Sequence, residues 1–533
     1  MKITAGHEFT WAARQFGDRE AVIFEKQSLS FNEVNKRANR LANALVNLGL
    51  DNNPRIAVLL NNSFESLDTV IGVAKAGITY VALNARYPAA EQHRILKDAD
   101  PTIVIGGPEF EDVLTRAVVG LDGIKSVFGI GWTLGGAQDY ADLLAGSSDE
   151  EPNVQIDMQD LMRLHYTSGT TGQPKGITIT NQRYYDRQNN FFTALEYGLG
   201  IEDSMIHVGP LTHAAGNYLV PYFLRGARNI IMARFDPVEI QEIIERERVT
   251  SLLLVPTMLI RLLDELDPGK YDLSSIHRIN YGTAPMPVEV LKRGIKAFGA
   301  VFREHYGLSE CPQPATLLYP HEHVLDGPED SVRRLASCGR PTLNVNIEIR
   351  NSDGSLLPAG EVGEVCIEAV GAADVGYWRS PGMYEENVRQ GWFYSGDLGY
   401  MDDEGYLFIV GRNKDMIISG GFNVYSREVE EALFEHEDIT EAAVVGLPDA
   451  EWGEIVCAFV VRRDGSELDA ASIDEHCRDL IAGYKLPRAL EFVDALPRNN
   501  TGKVDKAEMR RIYQDRNGVD VAAAENAVTA GYS

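Results

Sequence analysis

Residues 166–176, YTSGTTGQPKG, combine the residue types that a phosphate-binding loop requires. Glycines let backbone N–H groups turn inward, hydroxyls add donors, and a lysine supplies positive charge. The residues predicted to contact phosphate are Ser168, Gly169, Thr170, Thr171, Gly172 and Lys175. A flexible linker loop is the alternative interpretation. A Walker A loop, and with it a P-loop kinase, is excluded, because that pattern needs glycine where Pro174 stands and Ser or Thr directly after the lysine.

The elements that must position this loop alternate between short β-branched strands and longer amphipathic helices. Strands are predicted at residues 56–60, 102–107, 205–210, 229–233 and 251–256. Repeated strand–helix alternation predicts an α/β fold with parallel sheets and helices on their faces. We expect two such parallel-type subdomains within a large N-terminal domain, residues 1–411.

The pattern changes toward the C-terminal end of that domain. From about residue 338 to 411, glycine-rich strands separated by turn signals predict a β-rich subdomain, a distorted β-barrel. Residues 412–515 are predicted to form a small α+β C-terminal domain. Residues 516–533 are predicted to be a flexible tail.

Charge and hydropathy exclude several classes of partner. With 50 basic and 78 acidic residues the formal net charge is −28, which argues against nucleic-acid binding and against a polybasic membrane binder. The strongest apolar run, residues 251–263, is interrupted by Pro256 and Arg261 and is too short to span a bilayer. The N-terminus lacks the apolar stretch of a signal peptide. We therefore expect no membrane span.

The cysteines indicate a reducing compartment. Their spacing never gives a C-x-x-C pair, which argues against a disulfide framework or a structural zinc site. They are Cys311, Cys338, Cys366, Cys457 and Cys477. We expect a cytoplasmic protein, and a homodimer is compatible with the sequence.

The loop at 166–176 also resembles the signature loop of the acyl-adenylate-forming (ANL) superfamily, which includes acyl-CoA synthetases, nonribosomal peptide adenylation domains and firefly luciferase. Further segments resemble the other signatures of that family, in the family's order. They are GPLTHAAG (209–216), YGTAP (281–285), YGLSE (306–310), YSGDLG (394–399), GRNKDMIISGGFNV (411–424) and PRNNTGKVDK (497–506). The resemblance covers nearly the whole chain and implies binding of ATP, Mg²⁺ and coenzyme A.

The resemblance implies a site for ATP and for an adenylate. Asp397 and Arg412 correspond to residues that contact the ribose, and Tyr306 corresponds to the residue that stacks on adenine. Without the motif, Asp397 would be interpreted as a surface-turn aspartate. Thr283 departs slightly from the family, which more often has Gly or Ala there. The implied nucleotide-binding residues are Thr167, Ser168, Gly169, Thr170, Thr171, Gly172, Lys175, Gly282, Thr283, Ala284, Pro285, Tyr306, Gly307, Ser309, Asp397 and Arg412.

Three residues are implied to be catalytic. Glu310 matches the magnesium ligand, and one carboxylate suffices because Mg²⁺ also takes phosphate oxygens and water. Lys503 matches a lysine that moves in from the small domain and stabilises charge on the α-phosphate and the attacking carboxylate. His213 matches the residue that gates the acyl pocket. The structural alternatives are a salt-bridge glutamate, a solvated lysine and a core histidine.

The remaining implied roles concern the acyl group, coenzyme A and the domain hinge. Lys414 stands at the family's hinge position. The acyl pocket is assigned to His213, Asn217, Tyr218 and Cys311, and the coenzyme A contacts are assigned to Gly420, Gly421 and Trp452. Ser426 departs from the family, which commonly has proline there.

The resemblance implies an AMP-forming carboxylic acid:CoA ligase, an acid–thiol ligase of fatty or aryl acid metabolism. The main alternative keeps the same first step but passes the acyl group to an amine or to a carrier-protein thiol. A luciferase-like oxygenase would share the same fold, and a catalytically inactive adenylate sensor is the non-enzymatic interpretation. The presence of Lys503, Glu310 and Asp397 argues against the inactive sensor.

We predict that the substrate is not an α-amino acid. A buried ammonium group needs a carboxylate partner, since an unpaired buried charge costs roughly several kcal/mol. No Asp or Glu occurs from Ser204 to Leu224, the region around GPLTHAAG. Pyrophosphate release should therefore occur with simple carboxylic acids. Efficient release with a standard amino acid, and none with simple acids, would contradict the prediction.

Overall fold

The computed structural model describes residues 4–50, 53–167, 175–211, 215–369, 376–380, 382–449, 451–499 and 502–517. Within them, two mainly parallel sheets and a curled antiparallel sheet form a large N-terminal domain, and a further sheet belongs to a small C-terminal domain. The predicted fold class is confirmed. The domain limits at residues 411 and 515 stay predictions.

The two mainly parallel sheets are formed by strands from the first 341 residues. In chain order these strands are β1 (Glu20–Phe24), β2 (Gln27–Ser30), β3 (Arg55–Leu59), β4 (Thr79–Ala82), β5 (Ile103–Gly106), β6 (Ser126–Gly129), β7 (Gln138–Asp139), β8 (Leu161–Thr167), β9 (Lys175–Thr180), β10 (Ser204–His207), β11 (Arg228–Ile231), β12 (Ser251–Leu253), β13 (Arg278–Gly282), β14 (Phe302–Tyr306), β15 (Thr316–Leu318) and β16 (Arg340–Pro341). One sheet has the order β7-β6-β5-β3-β4-β8-β9, and the other has the order β16-β15-β14-β13-β12-β10-β11-β1-β2.

Helices cover the faces of these sheets. They are α1 (His7–Phe16), α2 (Phe31–Asn47), α3 (Phe64–Lys75), α4 (Ala89–Ala99), α5 (Glu111–Ala117), α6 (Tyr140–Leu144), α7 (Asn181–Asn190), α8 (Gly216–Leu224), α9 (Pro237–Glu247), α10 (Pro256–Asp264), α11 (Val288–Phe298) and α12 (Glu329–Arg333). Because helices lie on both faces, inner strands such as β5 are buried at every residue.

Local sequence signals explain where several elements begin and end. Ser30 and Glu33 form a capping box that starts α2. The predicted strand at 251–256 is too long, since β12 ends at Leu253. Pro256 instead occupies the first turn of α10, where its missing N–H and fixed φ are tolerated.

The antiparallel sheet follows in the chain and completes the large domain. Its elements are β17 (Val345–Arg350), β18 (Gly363–Ala369), α13 (Gly382–Glu385), β19 (Val388–Arg389), β20 (Trp392–Met401) and β21 (Leu407–Arg412). Strand β20 pairs with β18 on one side and with β21 on the other. This pairing places Asp397 directly opposite Arg412.

The small domain has its own sheet, with β25 between the long antiparallel strand β24 and the parallel strand β26. Its elements are β22 (Ile417–Ser419), β23 (Phe422–Val424), α14 (Ser426–Phe434), β24 (Ile439–Asp449), β25 (Gly453–Arg462), α15 (Ala470–Leu480), β26 (Ala489–Phe492) and α16 (Lys506–Asn517). Among the described residues, we find no helix with the length and apolar character needed to cross a membrane.

Candidate active site

A buried carboxylate on β20 is the centre of the candidate site. Asp397 is 5% exposed, and its Oδ2 accepts a hydrogen bond from the Tyr306 hydroxyl at 2.7 Å. Its Oδ1 accepts from Arg412 Nε at 3.1 Å. Burial, followed by the negative charge of Asp397, raises the pKa of Tyr306 well above its usual value. Three of the predicted nucleotide-binding residues are thus in direct contact.

Lys503 approaches this carboxylate from the small domain. Its loop is a tight turn, in which the Lys503 backbone N–H donates to Asn499 Oδ1 at 3.1 Å and the Asn499 N–H donates to the Lys503 oxygen at 2.8 Å. Partial desolvation in the cleft and the positive charge of Arg412 lower the pKa of Lys503, while Asp397 opposes that change. Residues far apart in the sequence therefore share one electrostatic environment.

The turn that carries Lys503 is also fitted closely to the large domain. Gly502 has a φ of +84°, a conformation that favours glycine. A Cβ atom at this position would lie 2.4 Å from Arg86 Nη1. Glycine therefore lets this turn approach Arg86 of the large domain.

Glu310, the predicted metal ligand, is held by residues that the sequence did not single out. The Tyr377 hydroxyl donates to Glu310 Oε1 at 2.9 Å. Arg183 of α7 donates to the backbone oxygens of Thr178 and of Ser309, the residue before Glu310. Because a carboxylate has about four lone-pair sites, Glu310 can accept from Tyr377 and still contribute to Mg²⁺. The donor set therefore fits the predicted metal.

Tyr377 also connects Glu310 to the strand that follows the predicted phosphate loop. Residues 376–378 pair with β9, where the Trp378 N–H donates to the Gly176 oxygen at 2.7 Å and Tyr377 bridges Ile177. The Lys175 ammonium lies 5.8 Å from the centre of the Tyr377 ring, in cation–π geometry. Lys175 also pairs with Thr167, where β8 ends and β9 begins.

The predicted adenine turn begins where β13 ends. A Cβ atom at Gly282 would lie 2.3 Å from the backbone oxygen of His305 on β14, so only glycine allows the two strands to approach this closely. Thr283 adopts a φ of +65°, which is unusual for a β-branched residue. Such strain is common at ligand sites. Ala284 and Pro285 complete the turn, and Gly307 follows Tyr306 at the end of β14.

The predicted acyl-pocket residues are only partly brought together. Tyr218 of α8 is buried, and its hydroxyl lies 3.4 Å from His305 Nε2. Burial lowers the pKa of His305 to about 4, so this imidazole is neutral at pH 7. Cys311 is buried in a separate apolar cluster with Tyr384, and Asn217 is half-buried on α8. His305 is adjacent to the predicted Tyr306 on β14, and strand alternation turns neighbouring side chains to opposite faces, so the motif gave no signal for His305.

The predicted coenzyme A residues are in contact on the small domain. The Gly420 N–H donates to the Trp452 oxygen at 2.8 Å, and the Arg488 guanidinium lies 3.8 Å from the Trp452 ring centre. Gly420 and Gly421 have φ values of +58° and +82°. A Cβ at Gly420 would lie 2.7 Å from the Trp452 ring. Lys414 lies in an exposed 3₁₀ turn between the two domains.

Part of the prediction falls on residues that the structure does not describe. The predicted acyl gate, His213, lies outside the described residues. Most of the predicted phosphate loop also lies outside them, namely Ser168, Gly169, Thr170, Thr171 and Gly172. The roles of all these residues stay predictions. The side chain of Thr167 is likewise outside the described set.

Comparison with known proteins gives matches over nearly the whole chain. The AMP-binding enzyme family matches residues 9–378, and the AMP-binding enzyme C-terminal domain matches residues 428–503. A feruloyl-CoA synthase from Amycolatopsis sp is 33% identical over 504 residues, which cover 94% of this chain and 97% of the relative.

The solved structures with a similar fold include two that are 29% identical to this chain. One is the amide bond synthetase McbA from Marinactinospora thermotolerans, with a TM-score of 0.85, 29% identity, and coverage of 96% of this chain and 100% of that one. The other is ATP-bound MatB from Rhodopseudomonas palustris, with a TM-score of 0.84, 29% identity, and coverage of 96% and 99%.

The contact between Tyr377 and Glu310 gives a testable prediction. Tyr377→Phe removes the hydroxyl that holds the carboxylate, so Mg²⁺-dependent ATP binding should weaken about tenfold, as when a ligand-orienting hydrogen bond is lost. Titration calorimetry with ATP, with and without Mg²⁺, measures the effect. Tyr185→Phe, at an exposed tyrosine of α7, is the control and should leave binding unchanged. Parental Mg²⁺ dependence in Tyr377→Phe would contradict the prediction.

Proposed function

This chain belongs to the AMP-binding enzyme family, and from that premise we propose that it is an AMP-forming carboxylic acid:CoA ligase. A carboxylate attacks the α-phosphate of ATP, which gives acyl-AMP and pyrophosphate. The coenzyme A thiol then attacks the acyl carbon, and AMP leaves. The observation that carries the proposal is that the small-domain turn with Lys503 lies against Arg86 of the large domain, within the electrostatic field of Asp397 and Arg412.

The nucleotide is held by the contacts around Asp397. Its carboxylate can accept hydrogen bonds from both ribose hydroxyls, and its two present donors, Tyr306 and Arg412, fix its orientation. The strained turn at Thr283 exposes backbone and small side chains against which adenine can lie. A nucleotide site for ATP agrees with the ATP-bound state of the similar MatB structure.

Glu310 would hold Mg²⁺ through its carboxylate, whose orientation Tyr377 fixes. When bound, Mg²⁺ neutralises charge on the phosphate oxygens. Lys175, at the end of the predicted phosphate loop, adds a second positive charge on the same side of the cleft. Glu310 and Lys175 would thereby orient the triphosphate for attack by the carboxylate.

Lys503 serves the first step. Negative charge develops on the α-phosphate as the carboxylate attacks, and an ammonium group placed there stabilises it in a partly desolvated cleft. The orientation with Lys503 beside Asp397 is therefore the orientation for adenylate formation.

The second step requires a different placement of the small domain. We place coenzyme A against the surface formed by Gly420, Gly421 and Trp452, with Arg488 as a cation for its phosphates. Rotation about Lys414 brings this surface to the acyl-AMP. The backbone around the exposed 3₁₀ turn absorbs the change in φ and ψ.

The acceptor of the acyl group needs a direct test. The structural neighbour McbA is named an amide bond synthetase, so an amine is the alternative to coenzyme A. Pyrophosphate release is measured over short, medium, long-chain, aryl and polycyclic acids, each with no acceptor, with coenzyme A, or with a simple amine. Thioester product with coenzyme A supports the proposal. Product formed only with the amine would assign the chain to amide synthesis instead.

Lys503→Ala should separate the two chemical steps. Loss of one such electrostatic group typically costs on the order of 10²–10³ in rate, about 3–4 kcal/mol. ATP-dependent turnover should be nearly abolished, while supplied acyl-AMP and coenzyme A should still give thioester. Binding of ATP should change little, because Asp397 and Arg412 remain. The measurement compares thioester yield from synthetic acyl-AMP in the variant and the parent.

Arg511→Ala is the control for Lys503→Ala, because it removes another cation of the small domain whose ion pairs, with Glu508 and Asp515, stay within α16. It should leave both half-reactions at the parental rate. Equal failure of Lys503→Ala in both assays would mean that Lys503 is structural or serves both steps.

Lys414→Pro should have the opposite effect. Proline fixes φ near −65° and also restricts Asn413, so the small domain cannot turn. Adenylate formation should survive while thioester formation falls sharply. The two half-reactions are measured separately by ATP–pyrophosphate exchange and by thioester yield from acyl-AMP. No loss in either assay would place the hinge elsewhere, and equal loss would indicate damaged folding.

A further inference from the structure

Helix α14 of the small domain places an arginine on the large domain. The Arg427 guanidinium donates from Nη1 to the Ile409 oxygen at 3.0 Å and from Nη2 to the Ala336 oxygen at 3.3 Å. Only 12% of its side chain is exposed. The planar fork of guanidinium donors thus connects a helix of one domain to two backbone carbonyls of the other.

Glu431, one turn further along α14, adds a second contact. Its Oε1 lies 3.5 Å from Arg427 Nε, and its Oε2 accepts from the Val288 N–H at 3.2 Å. Val288 begins α11, where backbone N–H groups lack intrahelical partners and the helix dipole favours negative charge. The two side chains therefore make complementary contacts, one with carbonyl oxygens and one with a helix N-terminus.

Arg427 also acts on a buried carboxylate of the large domain. Glu304 is 7% exposed and lies on β14, two residues before Tyr306. Burial raises the pKa of Glu304 to about 7, and the positive charge of Arg427 opposes that rise. Since an ionised carboxylate is costly to bury without an opposite charge, withdrawal of Arg427 is unfavourable.

Further contacts connect α14 to the segment that carries Lys503. Lys506 Nζ donates to Ser426 Oγ at 2.8 Å and lies 3.4 Å from Glu430 Oε1. Ser426 begins α14, and Lys506 begins α16 three residues after Lys503. The position of α14 on the large domain therefore determines where the Lys503 turn lies.

We propose that Arg427 and Glu431 are positioning residues that hold the small domain in the orientation that presents Lys503 to Asp397. The proposal rests on the two-step function proposed above. Because the second step requires the small domain to turn, both contacts must break between the half-reactions. Arg427 therefore favours the adenylate-forming orientation without touching a reacting atom.

Arg427→Ala in the full chain tests this role. ATP–pyrophosphate exchange, measured with the most active acid of the screen, should fall about tenfold, the factor expected for loss of one charge-assisted hydrogen bond. Thioester formation from the synthetic acyl-AMP of that acid should stay at the parental rate or rise. Arg427→Lys, which keeps the charge but lacks the donor fork, should give an intermediate exchange rate.

Arg462→Ala is the matched control. Arg462 lies in the same domain and also donates to a backbone carbonyl, that of Leu468, but both groups belong to the small domain. Its replacement should leave the ratio of the two half-reaction rates unchanged. An Arg427→Ala variant with a parental exchange rate, or with equal loss in both half-reactions, would overturn the proposal.

A distance measurement reports the orientation without any acid. Leu134→Cys and Leu480→Cys place spin labels at exposed positions, one on each domain, that are 58% and 42% exposed. With MgATP alone, pulsed electron–electron double resonance should show a broader distance distribution in Arg427→Ala. The Arg462→Ala variant should give the parental distance distribution. The parental distribution in Arg427→Ala would also overturn the proposal. If the parent exchanges pyrophosphate but forms no thioester, the coenzyme A acceptor is wrong, whereas these tests of Arg427 still apply.

Discussion

The Asp397 carboxylate is the group on which the charges of the cleft depend. It accepts from Tyr306 of β14 and from Arg412 of β21, and its field opposes the lowering of the Lys503 pKa. These three partners come from different sheets or from the other domain, so one buried negative charge connects all of them. Its position follows from backbone register, because β20 and β21 pair Asp397 with Arg412 before any side chain is considered.

Much of the fold could be predicted from the sequence because its strands are buried on both faces. Such strands appear as continuous apolar runs between amphipathic helices, and this pattern is visible in the order of residues alone. The limits of the elements were harder to predict. The strand expected at 251–256 ends at Leu253 because Pro256 occupies the first turn of α10, and the continuous apolar run hides this boundary.

The candidate site was predictable where function is confined to a short motif. Asp397 contacts Arg412, and Gly420 contacts Trp452, so residues that the motifs assign to one ligand lie together, while their roles stay predictions. The supporting residues were not predictable. Tyr377 reaches Glu310 across 67 positions, and Arg427 reaches Ala336 across 91. No local pattern distinguishes these side chains from ordinary polar residues, since only the tertiary fold brings them to their partners.

The nature of the domain contact explains how one interface can be both specific and reversible. At α14 the contact uses a guanidinium on two carbonyls and a carboxylate on a helix N-terminus, which are groups that water can also satisfy. A large apolar contact would be lost at much greater cost, because each exposed Å² of apolar surface costs about 25 cal/mol. Polar contacts instead exchange protein partners for water at a modest net cost. The orientation with Lys503 in the cleft is thereby well defined, yet the small domain can still leave it.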